Sequence, residues 1–171
     1  MLEMLASIAG IAGGLALVAA VIFAVVQVRQ FQRQRRDSSA MELMRILQAP
    51  RFVQAYITLG QVPNGISARN LRSMGRDYEE AAMSMVNIYE TVGLLVFRGT
   101  VSFQAVREVT GGILAVLWRK LHVWVSDVRQ EPGSERFAEW VQWLVERIAE
   151  QEAKAPTEPA YKRFTSWQPR G

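Results

Sequence analysis

The strongest structural signal in the chain lies between Asp77 and Gly99, where the sequence reads DYEEAAMSMVNIYETVGLLVFRG. Apolar residues recur there in alternating steps of four and three, the spacing of a helix that packs along another helix. The repeating positions are Tyr78, Ala82, Met85, Tyr89, Val92 and Val96, widened by Ala81, Ile88 and Leu95. Asp77 has the form of an N-cap with a reciprocal acid at Glu80, and Gly99 marks the end. This stretch predicts a long core helix.

Two helices are predicted directly after this stretch. Ser102 has the form of an N-cap for a short helix over Phe103–Val109. Gly111-Gly112 then predicts an interruption, because a continuous helix would put Arg107 inside the apolar stripe. A second helix, Ile113–Val128, carries its apolar residues on one face. Its apolar face comprises Leu114, Leu117, Trp118, Leu121, Trp124, Val125 and Val128.

The remaining periodic segments are shorter. A capping-box pattern predicts a helix over Ser39–Gln48, which either starts there or continues from the preceding segment. Arg51–Leu59 is a short helix opened by a proline, Ile66–Gly75 is irregular or a single turn, and Glu135–Glu150 is the last helix. No alternating run long enough for a sheet occurs. The predicted class is all-α, with a bundle of about four to five helices over residues 39–154.

The N-terminal segment is strongly apolar. No charged residue occurs from Met4 to Val28, and Leu5–Val26 would span roughly 33 Å as a helix, enough for a ~30 Å hydrocarbon core. A cleavable signal peptide needs a basic start and a shorter apolar stretch, whereas Glu3 is the only charged residue before this one. The expectation is a transmembrane anchor over residues 1–28.

Basic residues follow this segment. They are Arg29, Arg33, Arg35 and Arg36, within a predicted stalk over residues 29–38. Because basic residues stay on the cytoplasmic side, we expect the N-terminus outside and the C-terminal domain in the cytoplasm. The same four arginines are expected to attract anionic lipid headgroups.

Small residues recur every fourth position in the predicted span, which favours close helix packing in lipid. One row is Ala6, Gly10 and Gly14, and the other is Ala12, Ala16, Ala20 and Ala24. Alanine and glycine are also simply common in membrane helices, so the rows by themselves leave the partner open.

Composition excludes several kinds of chemistry. The 171 residues include no cysteine and one histidine, which excludes disulfides, thiolate sites and any two-histidine metal site. His122 falls at the edge of an apolar stripe and is interpreted as a half-buried structural residue rather than a general base. No phosphate-binding loop or nucleophile elbow occurs, and no basic face carries stacking aromatics. We therefore predict no enzyme, no cofactor, no metal and no nucleic-acid partner.

Four aromatic residues are candidates for partner docking. Trp143 lies off the apolar stripe of the last helix, where it either packs on a neighbouring segment or binds a partner. Tyr161, Phe164 and Trp167 recur every third residue in the proline-containing tail, residues 155–171. In an extended polyproline-like strand all three rings would share a face. The tail is predicted to dock on a partner protein or on a membrane interface.

Several segments together resemble a known family. They are Ser39-Ala-Met-Glu-Leu-Met-Arg-Ile-Leu, Pro50-Arg-Phe, Tyr89-Glu-Thr-Val-Gly-Leu-Leu-Val-Phe-Arg-Gly99, Trp118-Arg-Lys-Leu and Phe137-Ala-Glu-Trp-Val-Gln-Trp-Leu-Val-Glu-Arg147. The chain is similar, over roughly Gly13–Ala149, to an uncharacterised bacterial family of single-pass, membrane-anchored helical proteins with a domain of unknown function. The resemblance implies bacterial origin, an inner-membrane anchor and a helical fold, and it implies no catalytic residues.

These observations lead to two expectations about function. The first is a non-catalytic accessory or scaffold subunit of a larger integral-membrane complex, whose respiratory, photosynthetic or transport nature stays open. It would dock through its transmembrane helix, its bundle and its tail. The alternative is a membrane-tethered signalling or stress-response module that acts by self-association, as a homo-oligomer.

Overall fold

A computed structural model of the protein describes residues 20–28, 41, 43–155 and 158–168. The chain divides into two units, Met1–Glu42 and Leu43–Gly171. Every regular element in the described residues is helical, and no strand occurs among them. The all-α class is therefore confirmed for this part of the chain.

The first unit does not bear out the predicted anchor. Residues 20–28 form a helical segment with exposed side chains. Within the residues that the structure describes, no helix is both long and apolar enough to cross a bilayer, which takes about 20 successive apolar residues. The predicted N-terminal transmembrane helix is wrong on this finding. So is the predicted location as a single-pass protein of the bacterial inner membrane with its C-terminal domain in the cytoplasm.

Most of the functional predictions in the first unit lie outside the described residues. They concern Ala6, Gly10, Ala12, Gly14, Ala16, Arg29, Arg33, Arg35 and Arg36, together with the capping pair Ser39 and Glu42. Ala20 and Ala24 are described, and both are exposed on the helical segment 20–28.

The second unit is a helical bundle. After a helical segment at residues 43–47, its helices are α1 (Pro50–Gly60), α2 (Ala68–Met74), α3 (Arg76–Phe97), α4 (Phe103–Arg129), α5 (Glu139–Lys154) and α6 (Ala160–Arg163).

α3 is the central helix and packs against α1, α2 and α5, while α4 packs against α2 and α5. The apolar stripe predicted on α3 is buried at Ala82, Met85, Tyr89, Val92 and Val96. Burial of a large apolar side chain stabilises a fold by roughly 1.5–3 kcal/mol. The long core helix predicted for this stretch is thus present, and it begins at Arg76 after an N-cap at Gly75.

α2, of seven residues, occupies a segment that was predicted to be irregular or a single turn. The Ser67 hydroxyl accepts a hydrogen bond from the Asn70 N–H at 3.3 Å, and Oδ2 of Asp127 on α4 accepts from the Ala68 N–H at 2.8 Å. Leu71 is fully buried. A helix this short is marginal by itself, so its start depends on a carboxylate from a distant part of the chain.

α4 runs without interruption through Gly111 and Gly112, so the predicted break is wrong. A Cβ built on Gly111 would lie 3.8 Å from Cγ of Arg107 and 3.9 Å from Cγ2 of Ile148. Arg107 is half-exposed. Its aliphatic stem lies against the glycine, and a half-exposed arginine of this kind is accommodated within a single helix.

α5 begins at Glu139 rather than at Glu135. The preceding residues form turns, and Ala138 has a left-handed backbone with φ 57°. Nε of Arg129 donates to the Phe137 carbonyl at 2.7 Å, which ties this turn to the end of α4.

The tail differs from the predicted extended strand. Residues Ala160–Arg163 form a helical turn after Pro159. Tyr161, Phe164 and Trp167 are all exposed, with 76%, 54% and 68% of their surface accessible.

Candidate protein-docking surface

The N-terminus of α5 is capped by a residue of α3. No side chain from its own segment caps α5, whose N-cap is Ala138. Instead, Oε2 of Glu90 accepts hydrogen bonds from the N–H groups of Trp140 and Val141, at 3.0 Å each. These are N–H groups of the kind that a helix leaves unsatisfied at its start, and a negative charge there is favoured by the helix dipole. Glu90 therefore fixes where α5 begins.

Gly93 lies three residues after Glu90 and brings the two helices together. A Cβ built on it would lie 2.5 Å from the Trp140 carbonyl oxygen and 3.0 Å from Cβ of Trp140. No side chain fits in this space, so the backbone of α3 contacts the backbone of α5 directly. Glu90 and Gly93 together hold Trp140 against α3.

Three aromatic rings meet beside this crossing, and we refer to Phe97, Trp140 and Trp143 as the aromatic cluster. The ring centroids of Phe97 and Trp140 are 4.8 Å apart, and those of Phe97 and Trp143 are 5.9 Å apart in an edge-to-face arrangement. Trp140 and Trp143 also meet edge to face, at 6.0 Å. Such contacts hold aromatic rings in a defined orientation. Phe97 is 61% exposed, so the cluster presents a preformed aromatic surface.

A groove of about 370 Å³ adjoins the cluster, and we call it the aromatic groove. Its lining includes Val96, Phe97, Phe103, Trp143, Arg147 and Lys154. Nη2 of Arg147 pairs with Oε1 of Glu150 at 2.7 Å. Nε of Arg147 is buried and has no hydrogen-bond partner among the residues that the structure describes. The groove thus combines aromatic walls with a charged edge formed by Arg147, Glu150 and Lys154.

Trp143 packs on neighbouring aromatic residues, the first of the two interpretations that the sequence left open, and its binding of a partner stays a prediction. It is half-buried and packs on Phe97 and Trp140, and it also lines the aromatic groove. The tail residues are not brought to this place: among the described residues, no ring contact joins Tyr161, Phe164 or Trp167 to the aromatic cluster. Phe164 and Trp167 instead line a separate, shallow groove.

His122 differs from its predicted environment because it is exposed rather than half-buried. Its Nδ1 lies 3.2 Å from the Trp118 carbonyl oxygen, one turn earlier on α4. No group of three His, Asp or Glu side chains that could hold a metal ion occurs in the part of the chain that the structure describes.

Sequence reasoning missed Phe97, Glu90 and Gly93 as parts of this surface. Phe97 lies beyond the end of the apolar stripe of α3, and Glu90 is an acid outside that stripe. A glycine inside the strongest helical stretch was the one available signal, because such a residue often marks close packing. The apolar pattern of α3 does not show which helix packs against Gly93.

The fold and this surface define an all-helical bundle domain with an exposed aromatic groove. Residues 14–148 match the family model described as Domain of unknown function (DUF4760), and the chain belongs to that family. This confirms the expected membership in a family of unknown function, and the matched range agrees with the resemblance expected over Gly13–Ala149. No curated protein and no solved structure matches the chain.

Proposed function

We propose that this protein is a non-catalytic scaffold module that binds a partner protein through the aromatic cluster and the aromatic groove. The observation that carries the proposal is the preformed, exposed contact of Phe97 with Trp140 and Trp143 beside that groove. Tryptophan and arginine are enriched at the residues that dominate binding energy in protein interfaces. Rings already held in place lose little conformational entropy on binding, which favours affinity.

The lining of the groove indicates the chemistry of the partner. An aliphatic or aromatic side chain would fill the space between Phe97, Phe103 and Trp143. A carboxylate beside that side chain would meet Lys154 and the Arg147 guanidinium, which it would share with Glu150 in the same lining. The proposed partner therefore presents an apolar anchor flanked by an acidic residue.

The test compares two variants with equal exposure. Phe97 and Ile57 are 61% and 62% exposed, so replacing either by Ser has little effect on folding. An affinity-tagged chain is purified from its own cells after crosslinking, and the partner is quantified by mass spectrometry. We expect Phe97→Ser to weaken capture by about tenfold or more, as for a central interface residue, and Ile57→Ser to leave it unchanged. Equal capture by both variants, or no partner in reproducible ratio, contradicts the proposal.

Self-association is the second candidate, and the surface of α1 favours it. Val53 and Ile57, one turn apart on this helix, are both exposed, and Tyr56 lies beside them. Apolar residues grouped on one helix face favour contact with a second apolar surface. Sedimentation of the purified chain measures the oligomeric state: Ile57→Ser would lower it and Phe97→Ser would not. The two variants thus serve as controls for each other.

A further inference from the structure

A second groove lies between α1 and α3, away from the aromatic cluster, and has a volume of about 380 Å³. Its walls are two polar rows with helical spacing. They are Arg51, Gln54 and Thr58 on α1, and Asp77, Glu80 and Ser84 on α3. We call it the bipolar groove. Its floor is formed by the buried Ala55 and Ala81, whose small side chains leave the space open.

The two helices run antiparallel, which separates the charges in the bipolar groove. At one end, the ring centroids of Phe52 on α1 and Tyr89 on α3 are 6.3 Å apart. Near the other end, the Tyr78 hydroxyl donates a hydrogen bond to Oε1 of Gln61 at 2.8 Å. Arg51 therefore lies at the Ser84 end and Asp77 at the opposite end. Seven residues of helix separate the ends of each row, a length of about 10 Å. One end is positive and the other is negative.

Polar groups in this groove have unused bonding capacity. Ser84 is only 5% exposed, and its hydroxyl has no hydrogen-bond partner among the described residues. In the same part of the chain, no ion pair or hydrogen bond engages the Arg51 guanidinium or the Asp77 carboxylate. Of the three charged side chains, Glu80 is paired with Nε of Arg76 at 2.6 Å, and the Thr58 hydroxyl donates to the Gln54 carbonyl at 3.0 Å. A buried hydroxyl without a partner is costly unless a ligand or water satisfies it.

We propose that the bipolar groove binds a short free peptide of two or three residues by its two termini. The ligand carboxylate pairs with Arg51, and the ligand ammonium pairs with Asp77, supported by Glu80. An extended chain advances about 3.3–3.6 Å per residue, so roughly three residues match the length of the groove. Rotation about the Cα–Cβ bond of Ser84 turns its hydroxyl towards a ligand peptide group. This inference does not depend on the proposed docking function.

The experiment titrates the full chain with triglycine and follows backbone amide signals by NMR. We expect saturable shifts at residues of the bipolar groove with a Kd of about 0.1–1 mM, the range that typical ligand efficiency gives for a molecule of this size. N-acetylated triglycine and triglycine amide each remove one charge and should bind about tenfold more weakly. Glycine, which is too short to span the groove, should bind more weakly still. Equal binding of triglycine and both capped peptides overturns the proposal, as does no shift up to about 10 mM triglycine.

Variants assign the binding to this groove. Arg51→Gln and Asp77→Asn remove the two charges from exposed positions, and each should weaken triglycine binding about tenfold. Arg69→Gln and Glu131→Gln make matched charge changes at exposed positions outside the groove and should leave binding unchanged. Ser84→Ala should weaken binding without loss of stability, since the hydroxyl that it removes has no partner in the part of the chain that the structure describes. If all four charge variants bind triglycine alike, the proposal is wrong.

Discussion

At the scale of single residues, the start of α5 depends on Glu90. Its carboxylate accepts from two backbone N–H groups that lie fifty residues further along the chain. Hydrogen bonds to a charged group contribute more than neutral ones, and partly buried N–H groups left without an acceptor cost additional free energy. The side chain therefore links two helices that are distant in sequence.

We predict that Glu90→Ala lowers the free energy of unfolding by about 2 kcal/mol, and that Glu90→Gln lowers it by about 1 kcal/mol. The amide keeps one acceptor oxygen but loses the charge that favours the helix N-terminus. Urea unfolding followed by circular dichroism measures both values. Glu131→Gln, an exposed acid in the turn before α5, should change stability by less than about 0.5 kcal/mol. A similarly small effect of Glu90→Ala would refute the capping role.

Gly93 allows α3 and α5 to approach each other closely, and we predict that Gly93→Ala is destabilising by about 1–3 kcal/mol. Alanine favours helix formation over glycine by about 1 kcal/mol, but the added Cβ would lie 2.5 Å from a backbone oxygen of α5, which cannot move without shifting that helix. Thermal and urea unfolding of the variant measure the effect. Stabilisation by Gly93→Ala would show that α3 and α5 do not approach this closely.

At the scale of elements, the sequence pattern of α4 predicted a break that does not occur, because packing stabilises the whole helix. Its two central glycines weaken the helix, yet Gly111 packs towards Ile148 and the stem of Arg107. The missing side chains leave a groove of about 370 Å³ between α4 and α5. α4 packs against α5 and α2, and these contacts stabilise it as one continuous helix. They involve other parts of the chain, so the sequence of α4 alone does not reveal them.

We predict that Gly112→Ala stabilises the protein by about 0.5–1 kcal/mol. Among the described residues, no atom beyond its chain neighbours and the nearby helix backbone lies within 4 Å of a Cβ built there, and the residue is exposed within a helix, so only the gain in helix propensity remains. The variant is also the matched control for Gly93→Ala, since the two make the same chemical change in different surroundings. Destabilisation by Gly112→Ala would indicate that α4 is interrupted in solution, as its sequence pattern suggested.

At the scale of the whole molecule, stability at high pH depends on Tyr89. Its ring is fully buried on α3, and burial raises the pKa of its hydroxyl above the ordinary value near 10. The hydroxyl lies near Thr110 and makes no hydrogen bond of normal geometry with a described residue. Ionising this group therefore costs more free energy in the folded chain than in the unfolded chain.

We predict that the free energy of unfolding falls as the pH rises above about 10, by up to about 1.4 kcal/mol per pH unit from this group. Below that pH, Tyr89 is neutral in both states and its contribution is fully present. Above it, the unfolded chain releases a proton that the folded chain retains, so unfolding is favoured.

Tyr89→Phe tests this prediction. The variant should match the wild type near neutral pH, because the hydroxyl that it removes has no hydrogen-bond partner among the described residues. Urea unfolding from about pH 8 to about pH 11 should then show a shallower decline in the variant. The other tyrosines are present in both proteins, so their ionisation cancels in the comparison. Parallel curves would mean that Tyr89 is not held neutral by the fold.

The amino-acid sequence alone determined the helical class, the position of the central helix and the family membership. The apolar repeat from Tyr78 to Val96 is a local property, and burying such a stripe requires a helix with neighbours. The same reasoning located most of α1 and most of α5. It was wrong about the membrane anchor, the break in α4 and the extended tail.

Only the tertiary structure decided how these helices combine into a surface. The aromatic cluster requires Phe97 of α3 beside Trp140 and Trp143 of α5, and α2 requires Asp127 of α4 at its start. The bipolar groove likewise requires α1 to lie antiparallel to α3. The physical reason is that periodicity and capping act within a few residues along the chain. The choice of neighbours depends on contacts between segments tens of residues apart, whose energies no local pattern contains.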